Sequence, residues 1–415
     1  MTTATTGSTA ATAAAATAAA TTAAAGRVEH PATVAEAAAL LGGTSGSVLL
    51  RGAGTKRDWA GRPDDADLTL DTTALRGVLT HNPADMTASV RGGTTLQALQ
   101  AHLAGDGQWL ALDPPTAAIG ATVGGLLAAG DSGPSRLRYG GLRDLVIGVT
   151  LVLADGTVAR AGGHVIKNVA GYDLAKLVHG SLGSLALVAE VVVRLHPLPA
   201  ASMTTAGQAD AAQATAAALA LAASPLEPAA VEWVSTGDAG TLSVRIDGTE
   251  AAAASASQRV QALLAGLGIP ASALGSQDAD TAWQAHGRAV LGTAEETVVR
   301  VAGLPSGLAE LARAVVAAGR PAGVAVAIVS SVALGMHTVR LSGGTPEGHA
   351  EVLAALRAHA VGCGASVLLR SRPPALDPLV DALGEPPSTL ALLRRVKAQL
   401  DPADRLARGR FRPWF

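Results

Sequence analysis

Three glycine-rich stretches hold the residue types that could do chemistry. The first, Arg51-Gly52-Ala53-Gly54-Thr55-Lys56, follows the apolar run Ser47-Val48-Leu49-Leu50. Small residues at the end of a strand let backbone N–H groups converge, which suits a phosphate. The loop lacks the G-x-x-x-x-G-K-[ST] spacing, and no helix is expected after it, so it is neither a P-loop nor a dinucleotide fingerprint. Alone it also reads as a tight turn closing a strand. The second stretch runs from Asp113-Pro114-Pro115-Thr116 through Ile119–Gly125 to Ala129-Gly130-Asp131-Ser132-Gly133-Pro134. Its prolines and glycines forbid one continuous helix or strand, and it offers many N–H donors beside few side chains. A long loop of this kind is either structural or wrapped around an extended polar ligand. The third, Val165–Leu177 with Gly180-Ser181-Leu182-Gly183-Ser184, places Lys167, Asn168, Tyr172 and Asp173 around a glycine turn. The other tyrosine, Tyr139, sits in Arg138-Tyr139-Gly140-Gly141-Leu142-Arg143-Asp144.

The composition narrows what these loops can serve. The 415 residues carry 31 Lys+Arg against 33 Asp+Glu, a net charge of −2, with five Trp, two Tyr, two Phe and one Cys. Near-neutral charge and scarce aromatics argue against a nucleic-acid binder. One cysteine builds no disulfide framework, no cysteine zinc site and no iron–sulfur cluster, and no metal site is expected. Cys363, between two glycines, reads as a small buried residue. The length suggests two domains. Apolar runs are interrupted well short of the roughly 20 residues a membrane span needs. Met1–Ala25 is almost entirely Ala and Thr, without the basic and leucine-rich regions of a secretory signal, so residues 1–26 read as a disordered tail and the protein as cytoplasmic.

The elements that must position the loops follow from pattern. Val28–Leu41 reads as a helix stopped by Gly42-Gly43, and Val48–Arg51, Asp67–Asp71 and Met86–Arg91 as strands. Thr95–Ala104 reads as a helix with Thr94 as N-cap. Asp144–Leu153 and Thr157–Arg160 flank Asp155-Gly156, a hairpin signal, and Ser184–Leu195 is a long valine-rich strand. The cluster His196-Pro197-Leu198-Pro199 marks a domain boundary. Beyond it, helices (209–222, 251–267, 308–318, 349–359) alternate with short strands, which suggests an α+β layer of helices on a mostly antiparallel sheet. His102, on the Thr95–Ala104 helix, and His349 and His359, on the last of these helices, read as surface residues. Pro373–Pro387 connects to a closing helix, Leu390–Leu400.

Taken in order, Arg-Gly-x-Gly-Thr, Thr-x-Gly-Gly, Arg-Tyr-Gly-x-x-Arg-Asp, Asp-Gly, Lys-Asn-x-x-Gly-Tyr-Asp-Leu and Gly-Ser-x-Gly resemble the FAD-binding family of vanillyl-alcohol-oxidase (PCMH) type. Within it, the chain resembles the FAD-binding subunits of bacterial glycolate oxidases. Val165–Leu174 is the most specific element, and residues 28–199 carry most of the likeness. Trp283 and the closing Leu400-Asp401-Pro402 also fit. The resemblance implies an α+β protein: a two-subdomain PCMH-type FAD-binding domain (27–199), an α+β cap or substrate domain (200–389), and a C-terminal segment (390–415) returning to the first. It implies FAD held by Gly52, Ala53, Gly54, Thr55, Lys56, Thr122, Gly124, Gly125, Ser132, Gly133, Lys167 and Val188, with Leu187–Glu190 at the adenine end. No His or Cys near Arg51 suits a covalent link, so the FAD is expected to be non-covalent. The family's Gly-x-x-Thr-Glu appears here as Ala186-Leu187-Val188-Ala189-Glu190, and its closing Asn-Pro-Gly-Lys as Ala407-Arg408-Gly409-Arg410.

The activity implied is oxidation of glycolate to glyoxylate. Electrons would pass through a complex containing a second flavin subunit and an iron–sulfur subunit, which alone could link the chain to a membrane. The alternatives are a free-standing oxidase or dehydrogenase of another 2-hydroxy acid such as D-lactate, and a non-catalytic FAD-binding scaffold. Such oxidation needs a cation for the carboxylate and a base for the hydroxyl proton. Arg245, Arg300, Arg340 and Arg370 lie on expected strands, and the candidates singled out are His337, Arg340 and Tyr172. The histidine-rich glycine motif of the catalytic sibling subunits is missing; Gly335-Met336-His337 supplies one histidine.

Overall fold

The computed structural model describes residues 26–165, 171–237 and 239–415. Three parallel strands come first in space: Arg27–Glu29, Leu68–Asp71 and Val48–Arg51, with Leu68–Asp71 in the middle. The helix Val34–Gly43 covers them, capped by Thr33, whose Oγ1 accepts from Glu36 N at 3.1 Å. Leu41, Val48, Leu68 and Leu70 form their core together with Leu406 from the far end of the chain. The single helix expected over Val28–Leu41 is therefore a strand and a helix. Pro31 separates them, because it cannot donate a ladder bond and biases the residue before it away from helix.

A five-stranded antiparallel sheet follows, in the order Val78–Asn82, Thr87–Arg91, Leu187–Arg194, Val146–Val152, Val158–Gly162. Its centre is the valine-rich strand Leu187–Arg194. The β pattern expected from Ser184 starts late, because Ser181–Ser184 closes a turn with Gly183 at φ +79°. The hairpin at Asp155-Gly156 forms as read, with Thr157 N and Oγ1 bonded to the Asp155 carboxylate. Its first strand begins only at Val146, after the helical turn Leu142–Leu145. Two helices pack on this sheet. Leu96–Leu103 is capped by Thr95 rather than Thr94, and the seven-residue Val123–Ala129 lies inside the Pro/Gly-dense stretch and is capped by Thr122. Thr94 instead ties Gly77 N through its Oγ1 at 2.9 Å.

From Ala201 the chain builds an eight-stranded, wholly antiparallel sheet. Ala201–Asp210, Ala239–Gly248, Ala230–Ser235, Ala325–Ser331, Met336–Ser342, Thr297–Ala302 and Ser366–Ser371 are neighbours in that order, and Ala271–Ala273 edges the first of them. Helices Ala211–Ala222, Glu250–Gly266, Leu308–Gly319 and Pro346–Cys363 cover one face. Their alanines admit the fully buried Trp233, whose Nε1 donates to Ala209 O at 2.9 Å. The architecture is α+β, as expected. Two helical readings change. His349 is buried, bonded to Thr297 Oγ1 and Gly343 O, because it sits on the sheet-facing side of its helix. Cys363 is exposed, at the solvent side of that helix's last turn.

The chain end returns to the first unit. Lys397 on Leu390–Leu400 donates to Ser184 O and Leu406 O and pairs with Asp401 at 2.6 Å. Arg405 reaches Gly46 O, Ala154 O and Leu41 O, and Arg410 clamps Arg57 O, Trp59 O and Gly61 O.

Candidate functional site

The strand Val48–Arg51 delivers the first glycine loop to the floor of an open cleft. Asp71 pins Arg51 at 2.9 Å, and Thr72 Oγ1 bonds Arg51 O, so the loop leaves the sheet from a fixed point. Gly54 has φ +73° and open space where a Cβ would sit, a conformation that costs other residues about 1 kcal/mol or more. A Cβ on Gly52 would lie 2.5 Å from Thr122 Oγ1, and one on Gly124 would lie 3.0 Å from both Gly92 O and Val188 O. These close approaches bring the loop, the Thr122-capped helix start and the central strand around one space. Gly52, Ala53, Gly54, Thr55, Lys56, Thr122, Gly124, Gly125 and Val188 all line it. Small residues and N–H-rich turns along an elongated groove fit a long anionic ligand such as a dinucleotide.

A second, smaller cavity lies where the first unit meets the open face of the large sheet. Ser132 and Gly133 line this cavity and not the cleft, beside Glu232, His286, Arg300 and Arg370. A charged seam joins the two spaces. Asp131 lies 3.7 Å from Lys56 Nζ on the cleft side and 3.8 Å from Arg370 Nη2 on the cavity side, and it accepts from Thr116 Oγ1 at 2.5 Å. Burial lowers the Lys56 amine from its ordinary value; Asp131 works against that and Arg370 with it. Burial likewise lowers Arg370, against the pull of Asp131. Arg370 stacks on Trp59 at 4.0 Å, and its Nε has no hydrogen-bond partner. Arg300 is held down to about 9 by desolvation, then by Arg370 and Arg136; among the described residues no carboxylate pairs with it, and it reaches Met336 Sδ at 3.5 Å. Arg370, buried, and Arg300, half-buried, have Asp131 as their nearest carboxylate partner, while Glu232 of the same cavity is bonded to His286.

A family model for the FAD binding domain matches residues 22–162. The cofactor is FAD. The glycolate oxidase subunit GlcE of Escherichia coli strain K12 is 38% identical over 157 residues, 38% of this chain and 44% of that protein. A D-lactate dehydrogenase of Archaeoglobus fulgidus is 35% identical over 151 residues, 36% of this chain and 33% of its own length. The chain spans less than half the length of either relative. A solved structure of alkyldihydroxyacetonephosphate synthase shares the fold, with a TM-score of 0.68 at 16% identity, covering 91% of this chain and 74% of that one.

The remaining candidates beside this FAD binding domain scatter. Lys167 lies outside the described residues. Tyr172 is 90% exposed and lines neither space. Tyr139 packs edge-on between Trp109 and His196, with burial raising its phenol, and also lines neither. Arg340 is taken by Glu296, with contacts of 2.5 and 3.2 Å. Arg245 bridges to Asp113 and Ser135 across the seam between the units. His337 borders the second cavity, but strand alternation places its ring on the core face with Val339 and Leu341. There it meets Ser330 Oγ at 2.8 Å, and burial lowers it to about 4. Asp131, Glu232 and His286 were not singled out by sequence. A lone glutamate in the apolar strand Ala-Val-Glu-Trp-Val-Ser, and a histidine one helical turn after Trp283, were the available signals. Among the described residues no group of His, Cys, Asp and Glu could hold a metal ion, and no helix is long and apolar enough to cross a membrane.

Proposed function

We propose that this protein is an FAD-linked oxidoreductase acting on the CH–OH group of a small 2-hydroxy acid, with glycolate first and D-lactate second. The observation that carries the reading is the pair of arginines, Arg370 buried and Arg300 half-buried, facing a cavity beside the FAD cleft without a carboxylate of their own apart from distant Asp131. A guanidinium fork is the natural partner of a substrate carboxylate. In this reading backbone N–H groups at Gly52–Thr55 and the Lys56 amine hold the pyrophosphate, Thr122, Gly124 and Gly125 pack along the cofactor, and Val188 edges its adenine end. The lining offers glycines, threonines, aliphatic groups and cations, which hold FAD by contact without a covalent link. Bound FAD supplies the two-electron acceptor for the substrate C–H bond. Arg300 and Arg370 fix the carboxylate, so the carbon to be oxidised is positioned by binding energy.

The names of the relatives support glycolate and D-lactate as substrates, and the word subunit supports a multi-subunit assembly. We further propose a second flavin subunit and an iron–sulfur subunit as partners, a cytoplasmic location, and membrane contact only through that complex. The lone cysteine of this chain leaves any cluster to a partner. The test is anaerobic mixing of the FAD-loaded chain, alone and with its co-purified partners, with glycolate and D-lactate. Loss of the oxidised flavin band supports the reading. A band unchanged by every 2-hydroxy acid, with partners present, overturns it.

A further inference from the structure

The second cavity also holds a buried histidine–glutamate hydrogen bond that carboxylate binding does not use. His286 Nε2 lies 2.8 Å from Glu232 Oε2, with side chains 7% and 3% exposed. His286 is the one buried residue of the 16-residue helix Ser276–Leu291. Glu232 points to the cavity face of Ala230–Ser235, opposite the core residues Val231 and Trp233. Burying an imidazole against a carboxylate costs desolvation that an apolar pair would avoid, so it is weak as a stabilising device. Its geometry suits a base. With the Nε2 proton directed to Glu232, Nδ1 carries the lone pair, and no described hydrogen bond engages Nδ1. The Trp283 ring, 5.6 Å away edge-on, limits how the imidazole can turn.

We propose that His286 is the catalytic base of this cavity and Glu232 its positioning residue, an assignment that rests on the 2-hydroxy-acid reading above. The substrate O–H bond breaks and its proton goes to His286 Nδ1. The C–H electron pair leaves as hydride, with FAD as the two-electron oxidant, and the C–O single bond becomes the carbonyl of a 2-oxo acid. Glu232 accepts from Nε2–H and stabilises the imidazolium while the proton is held.

The test uses the full FAD-loaded chain, with partners if needed, as wild type, His286→Ala, His286→Asn and Glu232→Gln. Two quantities are read: oxalate affinity, from perturbation of the oxidised flavin spectrum, and the anaerobic rate of flavin reduction by glycolate or D-lactate. Expected are a loss of about 100-fold or more in rate for both His286 variants and about tenfold for Glu232→Gln, with oxalate affinity kept within about threefold. Added imidazole restores part of the rate of His286→Ala, which a purely structural role would not produce. His286→Asn reduced at the wild-type rate overturns the base assignment and leaves the 2-hydroxy-acid reading standing. A wild-type flavin that binds oxalate but is reduced by no 2-hydroxy acid overturns that reading and the base with it. If the His286 variants fail to retain FAD, Glu232→Gln decides: an unchanged rate overturns the pair.

Discussion

Replacing Arg300 with Met removes the charge that the second cavity holds for a ligand. The fall of this guanidinium to about 9 marks an unfavourable interaction of a few kcal/mol borne by the charged form, at roughly 1.4 kcal/mol per pH unit. Desolvation is the largest cause, followed by Arg370 and Arg136, and Asp131 offsets part. Methionine keeps most of the apolar stem but forfeits the residual solvation and the Asp131 attraction. The expected net is therefore about 1–3 kcal/mol in favour of the variant. The sign with pH follows from proton counting. Above about 9 the unfolded chain keeps a proton that the folded one has released, so wild type gains stability as pH rises past that value. Below about 9 the gap between variant and wild type is full and flat; above it the gap narrows. The assay is chemical denaturation of both FAD-loaded proteins at pH 7 and pH 10, with and without oxalate. Oxalate at about 100 times its Kd stabilises wild type by about 2.7 kcal/mol and the variant by much less. A variant less stable than wild type that still binds oxalate equally would refute the idea that Arg300 is a costly charge kept for an anion.

Asp131→Asn leaves Lys56, Arg370 and Arg300 without their common carboxylate and is expected to cost about 3–5 kcal/mol, read by denaturation, with FAD retention falling in parallel. Gly52→Val drives a side chain into Thr122 Oγ1, which lies 2.5 Å from the first added atom, and should weaken FAD binding by about tenfold or more in a calorimetric titration of the apoprotein. His337 titrates near 4 when folded and near 6.5 when unfolded, so as pH falls the unfolded chain binds the proton first and stability drops from pH 6.5 to about 4. Wild type should lose about 2 kcal/mol more than His337→Asn between pH 7 and pH 5 in urea titrations. Flavin reduction by the same variant should stay within about threefold of wild type, since the ring faces the core and not the ligand.

The cleft was legible in the sequence where backbone sets its shape. Glycines at 52, 54 and 124 are required by a left-handed turn or by backbone and side-chain atoms about 3 Å or less from a would-be Cβ. Such requirements are local, and they leave a readable trace in residue type and spacing. Element boundaries failed where a tertiary or turn device overrode pattern, as Pro31 did for the first helix and Gly183 for the central strand. Side-chain chemistry in the second unit was far less legible. Arg340 and His337 are adjacent in pattern to the functional face, but the first is spent on Glu296 and the second points to the opposite side of the same strand. Nothing in the sequence near Arg340 announces Glu296, 44 positions away, and the two strand faces differ by a single residue step. Tyr172 looked functional because its motif is specific, yet its own side chain is in solvent.

The charge seam explains why the two units must act together. Asp131 and Lys56 belong to the first unit, while Arg300 and Arg370 stand on neighbouring regions of the large sheet in the second. Neither unit alone completes the seam: the first would expose Lys56 with Asp131, and the second would leave Arg370 without Asp131, its own Glu232 being bonded to His286. Their docking is held by contacts away from the cavity. Arg245 bonds Asp113 and Ser135, and Arg62 joins Asp377 at 2.7 Å and Arg372 O at 2.8 Å. Arg372 in turn donates to Ala60 O at 2.9 Å. These bonds fix the Trp59 ring under Arg370, so the cation is aimed by the loop that leads out of the cofactor cleft. In the proposed reading, a carboxylate entering the second cavity therefore meets a charge whose position depends on the backbone from Gly52 to Gly61, the first part of which lines the FAD cleft. Cofactor loss and anion affinity should be coupled through that loop, and oxalate binding to apoprotein, followed by calorimetry, should be weaker than to the FAD-loaded chain by about 5-fold or more.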